Sequence, residues 1–325
     1  MITARAPYRI SLFGGGGDIS DWYLRNGGQF LSTTIDKFVY VTIKSTPPFF
    51  DYKIRVVWNQ IEQVLLIDDV KNPIVREVLK NHFPDSAIEI HYQGDLPARS
   101  GMGSSSSFCV ALIGALYAFK GIEVDQKELA NFAIDVERNK LKEAGGIQDQ
   151  IAAAFGGFNH VKIDCDGDFK VLPMIENNKN IETLEDHLLL FFTGKLRDSY
   201  ALINDQQRSS NKHQNTLDRM QELVTEAIQI IQSGTPRELG PLMLENWSLK
   251  KSLASTISTP AIESAIEAGV DAGALSSKVL GAGGGGFVLF LVESKFKAAV
   301  RKRLDQLIEV PVVFENQGFK IVYEG

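Results

Sequence analysis

Residues Pro97 to Ser107 read Pro-Ala-Arg-Ser-Gly-Met-Gly-Ser-Ser-Ser-Ser and run straight into the apolar stretch Phe108 to Phe119. A loop of this kind feeding a buried helix constrains the chain more than any other feature of it. The first backbone N–H groups of a helix have no partner of their own, the helix dipole is positive there, and glycines let a ligand approach the main chain. Together these make an anion site. A serine N-cap on a buried helix would need one serine and no glycine pair, whereas four serines and two glycines stand here. A phosphate is therefore the expected ligand, with the hydroxyls of Ser104 to Ser107 as added donors and one of them available to a metal. No lysine follows Gly103, so the Walker signature is absent.

Composition narrows the setting. The chain has 325 residues, past the size at which one core usually keeps growing, so two domains are expected. With 44% hydrophobic and 9% aromatic residues it can bury enough surface to fold. Its 34 Lys and Arg against 40 Asp and Glu give a net charge of −6, the wrong sign for non-specific binding to nucleic acid or an anionic membrane. An anionic ligand then needs a local cationic site. The two cysteines, Cys109 and Cys165, form no C-x-x-C pair and support neither a disulfide scaffold nor a zinc ribbon. Phe108 to Phe119 falls short of the roughly 18 apolar residues of a membrane span. The apolar stretch after Arg9 stops at four glycines instead of continuing as a signal-peptide core, so the mature chain is expected to start near Met1, in the cytoplasm.

Periodicity places the elements. Strands are expected at Arg9 to Phe13, Gln29 to Ser32, Phe38 to Lys44 and Ala87 to Tyr92, with a helix at Asn72 to His82. After the serine loop, a helix over Gln126 to Leu141 and strands at Phe158 to Ile163 and Phe169 to Leu172 follow. The composition turns polar near Asn177 to Asp186, which sets a boundary between residues 1–185 and 186–325. The second unit opens with a strand at His187 to Phe192 and continues with helices at Ser209 to Gln232, Pro236 to Ser252 and Pro260 to Ala268. A strand at Gly286 to Val292, a helix at Lys295 to Ile308 and a strand at Gly318 to Tyr323 complete an α+β pattern.

Three further groups carry chemistry. Glu137 lies four residues after Ala133, on the inward stripe of its helix, where a carboxylate wants a cation. Twelve residues on, Asp149 follows the pair Gly145-Gly146; two acids near a phosphate-type loop suggest one metal ligand and one catalytic carboxylate. Arg9 precedes the glycine run Gly14 to Gly17 and Asp18, where a guanidinium could neutralise a phosphoryl group and an acid could accept sugar hydroxyls. Gly281 to Gly286 matches G-x-G-x-x-G, but a dinucleotide fingerprint must follow a strand and open a helix. Here the strand-like run Phe287 to Val292 comes after it, so the segment is either a tight strand entry or a second glycine loop against the phosphate cradle.

These residues resemble the GHMP kinases, the family of galactokinase, homoserine kinase, mevalonate kinase and phosphomevalonate kinase. Ala6 to Ile10 is similar to the first family motif, Pro97 to Ser106 to the second and Val279 to Gly286 to the third. The family's heptose 7-phosphate kinases are resembled most, through Phe13 to Asp18, Ser32 to Lys37, Phe192 to Arg197 and Trp247 to Lys251. The sequence departs from that pattern with Gly17 for Thr, Ile19-Ser20 for Tyr-Pro, Met102 for Leu and Ser107 for Ala.

The resemblance implies a two-domain α+β GHMP kinase fold, a mixed α/β first domain and a ferredoxin-like second one, with the active site between them. It implies ATP and Mg²⁺ as cofactors, a small sugar phosphate as substrate, no nucleic-acid or membrane partner, and a homodimer as a candidate assembly. The reaction implied is γ-phosphoryl transfer to the anomeric hydroxyl of D-glycero-D-manno-heptose 7-phosphate. Galactose, fucose or mannose are alternative acceptors, and a non-catalytic nucleotide-binding regulator is the other class. By position, Asp149 addresses the acceptor hydroxyl and Arg9 the transferred group. Pro97, Ser100, Gly101 and Met102, then Gly103, Ser104, Ser105 and Ser106, form the ATP loop. Glu137 with Ser104 or Ser105 corresponds to the Mg²⁺ ligands. Asp18, Gly16, Gly17, Gly146, Gly284 and Arg197 fall at substrate positions, with Lys195 and Lys250 as further candidates for a clamp on an acceptor phosphate.

Overall fold

The computed structural model describes residues 1–174, 179–195 and 213–325. Its first sheet grows from two long strands, β1 (Ile2–Phe13) and β2 (Gly28–Ser45), paired antiparallel along almost their full length. Apolar residues recur at every second position of β1 from Ile2 to Ile10 and are buried, as period-2 geometry requires of a strand with one face on a core. A short hairpin, β3 (Ile54–Val57) and β4 (Ile61–Val64), and β5 (Ile88–Gly94) extend the sheet on one side of β2, and β6 (Phe158–Ile163) and β7 (Phe169–Pro173) also build on it.

Where separate short strands are expected at 29–32 and 38–44, β2 runs unbroken. Ser32, Thr33 and Thr34 are buried, and the Thr34 hydroxyl donates to Glu315 O at 2.6 Å, so residues that read as an interruption are a pairing site for a distant strand.

Among the described residues this half holds α1 (Ser20–Asn26), α2 (Pro73–His82), α3 (Ser104–Phe119), α4 (Gln126–Ile134) and α5 (Gln148–Phe155), and α6 (Lys179–His187) leads from it into the second sheet. α3 is apolar all round, and its residues Phe108 to Leu116 are buried between the sheet and its neighbours. Each large aliphatic side chain so buried contributes about 1.5–3 kcal/mol.

The second sheet comprises β8 (Leu188–Phe192), β9 (Ala274–Val279), β10 (Phe287–Val292) and β11 (Ile308–Val310) in the antiparallel order β11-β8-β10-β9, the ferredoxin-like arrangement. Its helices among the described residues are α7 (Gln214–Ser233), α8 (Leu239–Leu253), α9 (Pro260–Asp271) and α10 (Lys297–Arg303). Every residue of β10 is buried because alternate side chains enter different cores. Phe287, Leu289 and Leu291 join the large core of the first sheet, while Val288, Phe290 and Val292 pack with Trp247, Ile262 and Ile266 in a second one.

Two expectations are corrected. The helix expected over Lys295 to Ile308 is confined to α10, preceded by a 3₁₀ turn at Ser294–Phe296, because β-branched Ile308 and Val310 enter β11. The chain also does not stay in the second unit after residue 186: β12 (Phe314–Glu315) pairs with β2, and β13 (Lys320–Glu324) pairs with β1. The expected start of α7 at Ser209 lies outside the described residues. Among the described residues no helix is long and apolar enough to cross a membrane.

Candidate active site

A cleft of about 810 Å³ opens over the start of α3, walled by the ends of β1, the glycine turn after it, α7, α8 and the third glycine loop. Gly101 (φ 85°) and Gly103 (φ 81°) both occupy the left-handed region, which glycine enters without strain. Gly103 is the N-cap of α3 and supplies no side-chain cap. The first helical bond runs from Ser107 N to Gly103 O, leaving the N–H groups of Ser104, Ser105 and Ser106 ahead of it. The four serines then divide. Ser107 donates its hydroxyl to Pro7 O at 2.8 Å and ties α3 to β1, Ser106 donates to Glu137 Oε2 at 2.6 Å, and Ser104 and Ser105 line the cleft. Ser100 and Met102, both fully buried, brace the loop from behind; the Ser100 hydroxyl donates to Pro97 O.

Arg9 joins the loop to the proposed base. Its backbone N–H donates to Met102 O, its Nη1 to Gly101 O at 2.7 Å and its Nε to Asp149 Oδ1 at 2.7 Å. The side chain of Arg9 is 6% exposed and that of Asp149 26%, so the pair faces the cleft while remaining mostly shielded from water.

Asp18 closes the same corner. Its carboxylate accepts from Gly16 N and Gln148 N, and burial, followed by the charge of Asp149, raises its pKa. A Cβ on Gly146 would lie 1.8 Å from Asp18 Oδ2, which is why glycine stands there. Gly16 lines the cleft, whereas Gly17 lies under the Gln221 amide of α7.

Glu137 is fully buried on a π-helical turn, Asp135–Lys140, that continues α4; Leu141 N bonds to Val136 O, five residues back. Its Oε2 also accepts from Gln150 Nε2 at 2.5 Å, while its buried Oε1 has no hydrogen-bond partner. A buried carboxylate oxygen left unsatisfied at the edge of a phosphate loop fits a divalent cation.

The third glycine loop leans on the serine phosphate loop. A Cβ on Gly286 would fall 2.0 Å from Ser100 O. Gly281 and Ala282 line the cleft; the Gly284 N–H is spent on Ile257 O. Of the proposed clamp, Lys250 lines the cleft and donates to Gly281 O, Lys195 is exposed and its carbonyl accepts from Gly286 N, and Arg197 lies outside the described residues.

Several cleft residues carry no motif. Arg138 fastens the 143–146 loop by donating to Gly146 O, Glu143 O and Ala144 O, and burial together with Glu137 pushes the Glu143 carboxyl up to about 7. Trp58 lies in the β3–β4 turn, and Tyr92 meets Phe108 edge-on at 5.0 Å beside the loop. Lys278 is buried in β9. Nothing in the local sequence, Ser276-Ser277-Lys278-Val279, sets it apart from a surface lysine.

The cleft thus gathers backbone amides at a helix start, an arginine and a carboxylate held together over them, and a buried acid beside. Family models described as "GHMP kinases N terminal domain" and "GHMP kinases C terminal" match residues 70–157 and 226–306. The chain belongs to the GHMP kinases, ATP-dependent phosphotransferases with an alcohol group as acceptor. It is 27% identical to a D-glycero-alpha-D-manno-heptose 7-phosphate kinase of Campylobacter jejuni, over 98% of each chain. It is 28% identical to a mevalonate kinase of Pyrococcus abyssi, over 91% of this chain and 90% of that one. The crystal structure of a D-glycero-D-manno-heptose 1-phosphate kinase from Bacteroides thetaiotaomicron matches with a TM-score of 0.82 over all of both chains at 24% identity, a likeness of fold.

Proposed function

We propose that the protein phosphorylates a sugar phosphate, transferring the γ-phosphoryl group of ATP to the anomeric hydroxyl of D-glycero-D-manno-heptose 7-phosphate to give the 1,7-bisphosphate, a step toward nucleotide-activated heptose for surface polysaccharide. One observation carries the sugar assignment: the buried Asp18, held by two backbone amides beside Asp149, presents a carboxylate to the acceptor side of the cleft, where it accepts hydroxyl hydrogen bonds. The full-length likeness to the Campylobacter jejuni heptose 7-phosphate kinase supports it.

In this scheme the amides of Ser104 to Ser106 take the ATP phosphates, and the faces of Trp58 and Tyr92 offer a stacking surface for the base. Asp149 takes the proton of the acceptor hydroxyl. That oxygen bonds to the γ-phosphorus as the bond to the β–γ bridging oxygen breaks, leaving ADP. Arg9 orients Asp149 and offsets phosphoryl charge. Glu137 and Ser106, with Ser104 and Ser105 at hand, are the residues that would hold Mg²⁺; when bound, the ion supplies charge neutralisation that no Walker lysine is present to supply.

The test is an acceptor series with Mg²⁺ and ATP, following ADP release and the ³¹P spectrum of the product. Heptose 7-phosphate, heptose 1-phosphate, galactose, fucose, mannose and mevalonate are compared. A kcat/KM for heptose 7-phosphate at least about 10²-fold above the others supports the assignment; preference for any other acceptor replaces it.

A further inference from the structure

We propose that Lys278 is a phosphate-binding residue of the cleft, a cation placed to take an oxygen of the phosphoryl group opposite the serine loop. This deepens the reading of the cleft as a kinase site and rests on it. Lys278 lies on β9, a strand otherwise built from small and apolar residues, and is 3% exposed, yet it lines the cleft. Its ammonium donates to Leu12 O at 2.5 Å, near the end of β1 and three residues beyond Arg9. Among the described residues that carbonyl is its only hydrogen-bond acceptor, and no carboxylate pairs with it. An ammonium carries three donors, so two are left for a ligand.

The charges around Lys278 are of its own sign. Lys250, on α8, and Arg9, on β1, are its charged neighbours, and burial, then Lys250, then Arg9, pushes the amine well below the usual lysine range. A buried cation among cations, with spare donors, opposes folding; a fold keeps such a group where an anion arrives to meet it. Arg9 already grips the phosphate loop and Asp149, which puts the shared chemistry, a phosphate oxyanion, at the point of transfer. The same chemistry is offered by the terminal group of ATP and by a phosphate carried on the acceptor.

Lys278→Met removes the charge and keeps the length. Three measurements separate the outcomes, two of them independent of any acceptor. The first compares the affinity of ADP with that of a non-hydrolysable ATP analogue. The second is the melting temperature without ligands. The third is kcat and KM with a phosphorylated acceptor and with the matching free sugar.

If Lys278 meets the terminal group, the analogue binds about tenfold weaker or kcat falls about 10²-fold, ADP binding stays within about threefold, and the melting temperature holds or rises. If it meets the acceptor's phosphate, KM for the phosphorylated acceptor rises about tenfold while the free sugar and both nucleotides are unaffected. Either upholds the site and names its source. All measurements within about twofold of the native protein overturn it. So does a fall in melting temperature with loss in every measurement, repeated in Lys278→Gln, which would mark Lys278 as structural. Failure to find a sugar acceptor leaves the nucleotide and melting measurements standing, so the two ideas fail separately.

Discussion

Asp149 divides its carboxylate between two duties: Oδ1 receives the Arg9 Nε–H, and Oδ2 lies on the side of Gly103, over the phosphate loop. Asp149→Asn keeps the shape and removes the base. Turnover is expected to fall about 10²-fold or more, the scale of general acid–base assistance, with nucleotide affinity within about threefold. Steady-state rates beside calorimetric binding read both, and native turnover in the variant would remove Asp149 from the chemistry. Glu137→Gln keeps the bonds from Ser106 and Gln150 but weakens the partnerless oxygen as a ligand. The Mg²⁺ concentration for half-maximal rate should rise roughly tenfold; an unchanged titration would retire the assignment. Both acids were legible in the sequence because an acid on an apolar helical stripe or beside a glycine pair is out of place. Lys278 and Trp58 were not, since nothing local distinguishes one lysine in a strand or one tryptophan in a turn from a surface residue.

At the scale of elements, the site depends on glycine loops touching through their backbones. Gly286 has φ 85°, and its missing Cβ would fall 2.0 Å from Ser100 O, a main-chain atom that cannot swing aside. Gly286→Ala is expected to destabilise the fold by about 2–4 kcal/mol and to raise KM for ATP as the phosphate loop shifts. Thermal melts and initial rates check this together; native values of both would show the loops to be independent. The glycine pattern alone left two readings of this loop open, and only the contact with Ser100 tells them apart. Strand calling succeeded for β10, whose unbroken apolar run reflects two covered faces, and failed at Ser32 to Thr34, where buried polar residues await a partner far along the chain.

At the scale of the whole molecule, a polar bridge ties the first sheet to α7 of the second half. His160 of β6 meets Gln29 Oε1 at 2.8 Å, and Gln29 in turn bonds to Gln221 and Thr225 of α7. Burial, with Lys162 nearby, lowers the His160 pKa from 6.5 to about 4. Between these values the folded state binds fewer protons than the unfolded one. The contribution of neutral His160 is therefore complete above the unfolded value and is lost as pH falls through the folded one. His160→Gln, which can keep the bond without titrating, should flatten the decline of melting temperature from pH 7 to 4.5; parallel curves would count against the bridge. The two-domain plan was readable from length and composition, but the boundary at residues 185 and 186 was not the whole plan, because strand partners are chosen over distances that no local pattern encodes. That choice has a consequence for biogenesis. β1 is flanked by β2 and β13, and β13 is made last of the three. During translation the β1 peptide groups of Ile2 to Arg5 that face β13 therefore stay open until residues 320–324 have emerged, an exposed strand edge of the kind that invites wrong pairing.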